Sequence, residues 1–187
     1  MANKIIILTA PSGSGKSSIA KGLMAAMPNL QFSVSAATRH PRAGEIEGVH
    51  YYFISVQDFQ QKIELNQFAE WEKVYEGKYY GTLKSEIQSI WNAGKIPLLD
   101  IDVIGAKNIN KNYPIETCSI FIEVPITELK KRLEDRGSET AESLQERLDK
   151  AAQEAEQKTH FHYTVINDSL ERATKETIKI VQEFLNK

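Results

Sequence analysis

The sequence predicts an α/β protein whose parallel sheet is covered by helices on both faces. Three short apolar runs, at residues 4–9, 96–101 and 119–124, support this prediction. Each run is followed by a segment with helical periodicity, and strands that are apolar throughout are typical of parallel sheets buried between helices. With 187 residues the chain suffices for one domain and falls short of two full-sized ones, so we expect one main core.

The composition excludes several classes of protein. Lys and Arg number 23 against 25 Asp and Glu, a net charge of −2, so no global positive field attracts DNA or RNA and no nucleic-acid partner is expected. The single cysteine, Cys118, can form neither an intramolecular disulfide nor a multi-thiolate zinc site, which favours a reducing compartment. No run approaches the roughly 20 apolar residues of a membrane span. We therefore expect a cytoplasmic protein without a membrane partner.

The predicted elements follow the order that this fold class requires. After the first apolar run, a helix is predicted over residues 16–27. Between residues 33 and 93 the pattern changes to short strand candidates such as 49–54, aromatic loops and two small helices, which we interpret as a subdomain inserted into the sheet. A last helix is predicted from Asp168 and Glu171, a capping-box spacing with Asp in place of Ser or Thr.

A charged helical segment covers residues 127–158 and is interrupted at residues 136–140. Gly137 is placed to end one helix in a left-handed conformation, and Ser138 or Thr140 to cap the next, which predicts a helix, a turn and a second helix. The second helix carries one apolar stripe, formed by Leu144, Leu148, Ala151, Ala152 and Ala155.

A phosphate-binding motif follows the first strand. The chain reads Ala10-Pro11-Ser12-Gly13-Ser14-Gly15-Lys16-Ser17, which matches a P-loop except that Ala10 stands where the first glycine is usual. Gly13 and Gly15 let backbone N–H groups turn toward phosphate oxygens, while Lys16 reaches the outer phosphates and Ser17 ligates Mg²⁺. A plain turn between strand and helix is the alternative, which the terminal Gly-Lys-Ser disfavours. A P-loop alone indicates a nucleoside triphosphatase or a kinase and leaves the phosphate acceptor open.

Two downstream features suit a phosphorylated purine. Arg39 and Arg42 lie three residues apart in a loop, where two guanidinium groups can clamp a phosphate. Residues 50–53, 68–71 and 77–82 combine many aromatic side chains with isolated polar groups, as purine pockets do. Solvated surface arginines and an aromatic core beneath a loop are the respective alternatives.

Six motifs occur in a fixed order along the chain. After the P-loop come Ser-x-x-Thr-Arg-x-Pro-Arg from Ser35, Glu-Trp from Glu70, Tyr-Tyr-Gly-Thr from Tyr79, Asp-Ile-Asp from Asp100 and Arg-Leu-x-x-Arg-Gly from Arg132. Together they resemble the guanylate kinase family across essentially the whole chain. The resemblance implies a P-loop nucleoside monophosphate kinase-like parallel sheet flanked by helices, with an inserted GMP-binding subdomain and a helical lid. The implied parts are a core of residues 1–32, 93–125 and 160–187, a GMP-binding subdomain of residues 33–92 and a lid of residues 126–159.

The resemblance also implies roles for individual residues at the matching positions. The expected ATP-binding residues are Ser12, Gly13, Ser14, Gly15, Lys16, Ser17 and Ser18, with Asn167 next to the adenine. The GMP phosphate is expected to contact Arg39, Arg42, Tyr51 and Tyr80, and the rest of the GMP site is formed by Ser35, Glu70, Gly81, Thr82 and Asp102. Mg²⁺, required together with ATP, is expected at Ser17 and Asp100. The expected catalytic residues, which neutralise the transferring phosphates, are Lys16, Arg132, Arg136 and Arg147.

Glu70 suits guanine on chemical grounds. Guanine presents N1–H and its 2-amino group as adjacent donors, which one carboxylate can accept together, while the hydroxyls of Ser35 and Thr82 can donate to O6. Adenine presents an acceptor at N1, so it would leave a buried carboxylate unpaired, at a cost on the order of several kcal/mol. Without the surrounding motifs, Glu70 would be interpreted as a plain helix or loop residue.

Asp100 and Asp102 end an apolar strand, and alternation points both carboxylates to one side at the carboxyl edge of the sheet, where α/β proteins bind ligands. Asp102 is expected on the guanine side and Asp100 near the water shell of Mg²⁺, but the sequence leaves this division open. A strand-end aspartate that caps a neighbouring turn is the alternative. Arg132 and Arg136 are four residues apart on one helix face, for which a solvated face is the alternative.

The implied reaction transfers the γ-phosphoryl group of Mg-ATP to GMP, and to dGMP as well, giving ADP and GDP by in-line displacement. The second pKa of a phosphate monoester is about 6, so no general base is required, and the four histidines form no recognisable triad. A catalytically inactive binding module of the same fold is one rival, against which Lys16, Ser17, Ser35 and the lid arginines argue. A kinase for another nucleotide or a sugar phosphate is the second rival, disfavoured by Glu70 and residues 79–82. A monomer or a homodimer is expected.

Overall fold

The computed structural model describes residues 3–135 and 141–187. In chain order its elements are β1 (Ile5–Thr9), α1 (Lys16–Ala26), β2 (Leu30–Phe32), β3 (Ala36–Ala37), β4 (Tyr52–Phe53), α2 (Val56–Glu64), β5 (Phe68–Tyr75), β6 (Lys78–Leu83), α3 (Lys84–Asn92), β7 (Ile96–Asp100), α4 (Val103–Asn112), β8 (Thr117–Glu123), α5 (Ile126–Glu134), α6 (Ala141–Glu156), β9 (Tyr163–Ile166) and α7 (Leu170–Leu185). A short 3₁₀ turn, Gln157–His160, joins α6 to β9.

Five parallel strands in the order β2-β7-β1-β8-β9 form the central sheet. In its centre, Ile6 of β1 lies opposite Leu98 of β7 and Cys118 of β8. Every residue of β1 is buried, because α1 and α7 pack on one face of the sheet and α3 and α4 on the other. The prediction of an α/β fold with a helix-covered parallel sheet is confirmed.

Two predicted helix ends are wrong, each for a local reason. Helix α1 stops at Ala26, because Met27 precedes a proline and a residue in that position avoids helical dihedrals; its φ is −132° and its ψ is 83°. The capping box of the last helix does not form. Helix α7 begins after Ser169 without a side-chain cap, and Asp168 instead pairs with Arg172 at 2.6 Å.

The segment predicted as an inserted subdomain contains a second sheet, in the order β4-β3-β6-β5. This sheet has a core of its own, in which Phe59 of α2 stacks on Phe68 at 4.2 Å between ring centroids and lies 5.3 Å from Tyr79. Of the strand candidate at 49–54, only the short β4 forms as a strand, next to an isolated bridge between Glu47 and Tyr51. The boundaries 33 and 92 stay a prediction.

The segment expected to form a lid contains α5 and α6, which pack on each other. Leu129 and Leu133 of α5 contact Ala151 of α6, and Leu144 and Leu148 of the predicted stripe join this cluster. Two residues of the predicted stripe do not join this cluster: Ala155 packs against the core of the central sheet, and Ala152 is exposed. Helix α6 therefore contacts both α5 and the core of the main sheet. The predicted turn at 136–140, which includes Arg136, lies outside the described residues.

Two expectations from composition concern the membrane and the thiol. None of the helices within residues 3–135 and 141–187 is both long enough and apolar enough to cross a bilayer. Cys118 of β8 is buried in the core between the central sheet and helices α1 and α7, and burial raises the pKa of its thiol to about 12. The thiol therefore stays protonated and acts as a small apolar side chain.

The Phe59→Ala variant is expected to lose about 3–5 kcal/mol of unfolding free energy, because it removes a fully buried ring and leaves a cavity in the small core. Urea unfolding followed by circular dichroism measures the loss. Leu65→Ala, at the end of the same helix and 61% exposed, is the control and should change stability by roughly 0.5 kcal/mol or less. Equal losses in the two variants would show that the aromatic cluster contributes nothing specific.

Candidate active site

The P-loop between β1 and α1 depends on glycine at two positions. Gly13 and Gly15 have φ of 95° and 83°, in the left-handed region that favours glycine. A Cβ at residue 15 would lie 2.7 Å from Nδ2 of Asn167, and one at residue 13 would lie 2.9 Å from Cδ2 of Leu133. No side chain caps the start of α1 and no acidic residue lies in its first turn. Its N–H groups can therefore serve an anion.

Lys16 connects the P-loop to the end of β7. Its ammonium group lies 2.8 Å from Oδ1 of Asp100 and donates to the backbone oxygen of Ile101 at 3.0 Å. Both charged side chains are largely buried, with 17% and 15% exposed, so the pair is little screened by solvent. The contact joins the loop after β1 to the end of the neighbouring strand β7 at the carboxyl edge of the sheet.

Ser17 and Asp100 are suited to bind Mg²⁺. The Ser17 hydroxyl donates to Oδ2 of Asp100 at 3.2 Å, so this oxygen and the hydroxyl lie side by side while the other carboxylate oxygen pairs with Lys16. Mg²⁺ prefers such hard oxygen ligands and usually combines one or two of them with water and phosphate oxygens. Within the described residues no group of three or more His, Cys, Asp or Glu side chains forms an all-protein metal cage.

Arg132 of α5 and Asn167, which follows β9, hold the P-loop. The Asn167 amide donates to the backbone oxygen of Ser14 at 2.6 Å, and Arg132 donates to the backbone oxygen of Asn167 at 3.0 Å. Asn167 is 1% exposed, and its Oδ1 finds no hydrogen-bond donor among the described residues. Asn167 does not line the cavity beside the P-loop, so the adenine contact expected of it stays a prediction.

A second lid arginine also reaches the P-loop. Arg147 of α6 donates to the Ser12 hydroxyl at 2.7 Å. The structure therefore brings Lys16 and Arg147 together at one cavity of about 450 Å³, which residues 10–18 line, while Arg132 donates to the backbone oxygen of Ser14 at 3.4 Å. The third predicted lid arginine, Arg136, lies outside the described residues.

A neighbouring cavity of about 520 Å³ holds most of the residues predicted for the acceptor. Its lining includes Ser35, Tyr51, Glu70, Tyr80, Gly81 and Asp102. It shares three lining residues with the first cavity: Lys16, Ser17 and Asp102. Arg39, Arg42 and Thr82 do not line it directly. The two cavities therefore meet at the P-loop lysine.

Glu70 is a buried carboxyl group, 7% exposed, on the acceptor side. Its Oε1 accepts a hydrogen bond from the Thr82 hydroxyl at 2.6 Å, which the β5–β6 register explains by placing the two residues opposite each other. The Thr82 hydroxyl, which the sequence predicts to donate its proton to guanine O6, therefore donates it to Glu70 in the structure. Burial raises the pKa of Glu70 to about 7, and the Thr82 hydrogen bond opposes that rise. A Cβ at Gly105 would lie 2.7 Å from Glu70 Oε2, so the start of α4 closes over the carboxyl group.

Arg39 is oriented by a residue that the sequence analysis missed. The Glu45 carboxylate accepts hydrogen bonds from both terminal guanidinium nitrogens of Arg39 at 2.6 Å and from the backbone N–H of Arg42 at 2.7 Å. The Arg39 guanidinium holds the pKa of Glu45 at about 2. The guanidinium also lies 4.9 Å from the centroid of the Tyr51 ring, whose edge contacts Tyr80. Arg39, Tyr51 and Tyr80 therefore form one cluster, whereas the Arg42 residue is exposed.

Glu72 is the second residue that the sequence analysis missed. It lines the acceptor cavity, and a hydrogen bond with Asp102, together with burial, raises the pKa of Glu72 to about 8. Asp102 itself caps α4, since its Oδ1 accepts the N–H of Gly105 at 2.7 Å. The alternation of side chains along β5 could have identified Glu72 from the sequence, because it places Glu72 on the same face of the strand as Glu70.

The comparisons with known proteins agree with one another. The family model for guanylate kinase matches residues 2–187. The guanylate kinase of Bacteroides fragilis is 44% identical over 183 residues, covering 97% of this chain and 90% of that protein. The guanylate kinase of Salinibacter ruber is 43% identical, with 97% of each chain covered.

Two solved structures share the fold of this chain. The crystal structure of guanylate kinase from Anaplasma phagocytophilum superposes with a TM-score of 0.76 at 27% identity, covering 97% of this chain and 85% of that one. A shikimate kinase from Bacteroides thetaiotaomicron superposes with a TM-score of 0.53 at 14% identity, covering 98% of this chain and 99% of that one, a likeness of fold alone.

The Thr82→Val variant is expected to raise the pKa of Glu70 above about 7, because it removes the hydroxyl that stabilises the ionised carboxylate. Carboxyl ¹³C NMR during a pH titration measures the change. Thr82→Ser keeps the donor and serves as the control, with a pKa close to that of the unaltered protein. An unchanged or lower pKa in the valine variant would show that the hydrogen bond does not govern this titration.

Proposed function

The chain belongs to the guanylate kinase family, and we propose that it transfers the γ-phosphoryl group of Mg-ATP to GMP, and to dGMP as well, giving ADP and GDP. One observation carries the proposal beyond family membership. The P-loop cavity and the acceptor cavity share Lys16, Ser17 and Asp102 as a common wall. Two nucleotides whose phosphates meet at Lys16 and Ser17 of this wall are positioned for direct transfer, and such positioning removes a large part of the barrier of a bimolecular reaction.

Positive charge converges on the same point. Lys16 lies at the shared wall, and Arg132 and Arg147 contact the P-loop backbone and side chains from the lid. Phosphoryl transfer spreads negative charge over the transferred group, so fixed cations that face it lower the barrier. We assign that role to these three residues, and to Arg136 by its match to the family motif.

Ser17 and Asp100 are the residues that would hold Mg²⁺, as their adjacent oxygens fit its preference. When bound, the ion supplies charge neutralisation and orientation of the outer phosphates. The Ser17 hydroxyl and the Asp100 carboxylate are already held in place by Lys16 and by each other. Through these contacts with Lys16 and Ser17 we assign Asp100 to Mg²⁺ and the phosphates, and we assign Asp102, which lines both cavities, to the acceptor.

The acceptor needs no general base. A phosphate monoester has a second pKa of about 6, so the GMP phosphate is an oxygen nucleophile near neutral pH without deprotonation by the protein. The protein's part is to orient that phosphate, and we assign this role to the cluster of Arg39, Tyr51 and Tyr80, of which the two tyrosines line the acceptor cavity. The transfer is then an in-line displacement that rests on positioning and electrostatics. The cytoplasmic location and the monomeric or homodimeric state stay predictions.

The proposed activity is tested by measuring ADP release from Mg-ATP with GMP, dGMP, AMP, CMP, UMP or no acceptor. Release with GMP and dGMP alone is expected, since the acceptor cavity offers a buried carboxyl group to the guanine N1–H and 2-amino donors. Lys16→Ala should abolish transfer without removing GMP binding, which calorimetry measures, because Lys16 belongs to the P-loop that lines the first cavity. If no acceptor causes ADP release but GMP binding is measurable, the protein would be a binding module instead.

The Glu70→Gln variant is expected to lower kcat/KM for GMP by about 100-fold or more and to leave ATP binding intact, because an amide nitrogen then faces the guanine donors. In the unaltered enzyme, GMP requires the ionised carboxylate, so its kcat/KM should rise with pH up to about 7 and level off above it. The inflection near 7 should be absent in the glutamine variant. Equal use of GMP by both proteins would remove Glu70 from base recognition.

A further inference from the structure

Glu86 lies where the chain passes between the two sheets. It belongs to the first turn of α3, and its carboxylate accepts two hydrogen bonds from outside that helix. Its Oε1 accepts the backbone N–H of Val34 at 3.1 Å, and its Oε2 accepts the Tyr52 hydroxyl at 2.9 Å. One carboxylate therefore joins three segments that are far apart in the sequence, and nothing in the proposed reaction assigns it a role.

The chain crosses between the central sheet and the second sheet at two places. The first crossing begins at Val34, since the residue before it still donates to the backbone of β7. The second crossing is the junction of β6 and α3, at residues 83 and 84. Helix α3 packs on the central sheet, because its Ile87 is buried in the core on one face of that sheet. The bond between Val34 and Glu86 therefore ties the two crossings to each other.

Each bond of Glu86 acts on a neighbour of a residue that lines the acceptor cavity. Val34 precedes Ser35 and Tyr52 follows Tyr51, and both Ser35 and Tyr51 line that cavity. The two segments are also joined through the backbone, because the Tyr52 N–H donates to the Ser35 oxygen at 2.9 Å. Attaching Val34 and Tyr52 to α3 therefore fixes where Ser35 and Tyr51 lie relative to the central sheet.

Both hydrogen bonds have an ionisable acceptor, and an ionised carboxylate accepts a hydrogen bond more strongly than a neutral group does. Val34 is 8% exposed, so removing the carboxylate would leave the N–H of a buried residue without this partner, which is costly. Burial and the bond to Glu86 raise the pKa of Tyr52, so the phenol keeps its proton and stays a donor near neutral pH.

We propose that Glu86 is a positioning residue for the acceptor, which holds Ser35 and Tyr51 in the arrangement that binds GMP. The inference rests on the proposed function and deepens it, because it names a contact that keeps the acceptor cavity in place beside the P-loop. Glu86 does not line that cavity, so its effect passes through Val34 and Tyr52. Its loss should weaken GMP binding and leave ATP binding unchanged.

The test is a double-mutant cycle on KM for GMP. Tyr52→Phe removes one hydrogen bond and should raise KM for GMP about threefold, whereas Glu86→Ala removes both and should raise it about tenfold. The double variant should match Glu86→Ala, because the Tyr52 hydroxyl has already lost its partner there. In all three variants kcat should stay within about threefold and KM for ATP within about twofold, since the P-loop is unaltered.

Two further variants separate this role from the charge of Glu86 and from general stability. Glu86→Gln keeps an oxygen for the Val34 N–H and offers an amide N–H to the Tyr52 oxygen, so KM for GMP should stay within about twofold. Gln88→Ala, two residues further along α3 and exposed, is the control and should leave every constant unchanged. Thermal unfolding shows whether each variant is folded at the assay temperature.

Four results would overturn the inference: an unchanged KM for GMP in folded Glu86→Ala, an equal rise in KM for ATP, additive effects of the two single variants, or equal losses in Glu86→Gln and Glu86→Ala. If Glu86→Ala does not fold, Tyr52→Phe decides, and an unchanged KM for GMP in that variant overturns the inference. If the unaltered enzyme does not phosphorylate GMP, the proposed function itself fails. The first measurement in the series therefore distinguishes the two failures.

Discussion

The ion pair between Lys16 and Asp100 is the contact on which the rest of the site depends. It ties the P-loop to the end of β7 at 2.8 Å, and the neighbouring Ser17 hydroxyl joins the same carboxylate. Because parallel strands end at one edge of the sheet, this single contact brings the phosphate loop, the metal-binding oxygens and the start of the acceptor cavity together. The two cavities share a wall for the same reason.

The acceptor side is built from carboxyl groups that the protein stabilises individually. Glu70 is buried and receives the Thr82 hydroxyl, Glu45 is paired with Arg39, and Glu72 is bonded to Asp102. Burying such groups is costly unless each has a partner. Each contact also fixes the orientation of the side chains that form it, including those proposed to bind the base and the phosphate of GMP.

The sequence predicted those features that depend on local order along the chain. The P-loop, the apolar strands and the paired aspartates are short contiguous patterns, and the structure places Lys16, Ser17 and Asp100 together as expected. Glu45 and Glu72 were missed because their partners are set by tertiary contacts. The Glu45–Arg39 pair closes an irregular loop without periodicity, and the Glu72–Asp102 contact joins the two sheets. The hydrogen bond from Thr82 to Glu70 depends on a hairpin register that includes an irregularity next to Glu70.

The central claim is that both nucleotides meet at the wall formed by Lys16, Ser17 and Asp102. It is tested most directly with one molecule in which adenosine and guanosine are joined through their 5′ positions by five phosphates. Calorimetry should find a single binding event of one molecule per chain, and the bound compound should displace both ATP and GMP. Displacement of only one nucleotide, or binding of two molecules per chain, would show that the two cavities do not form one continuous site.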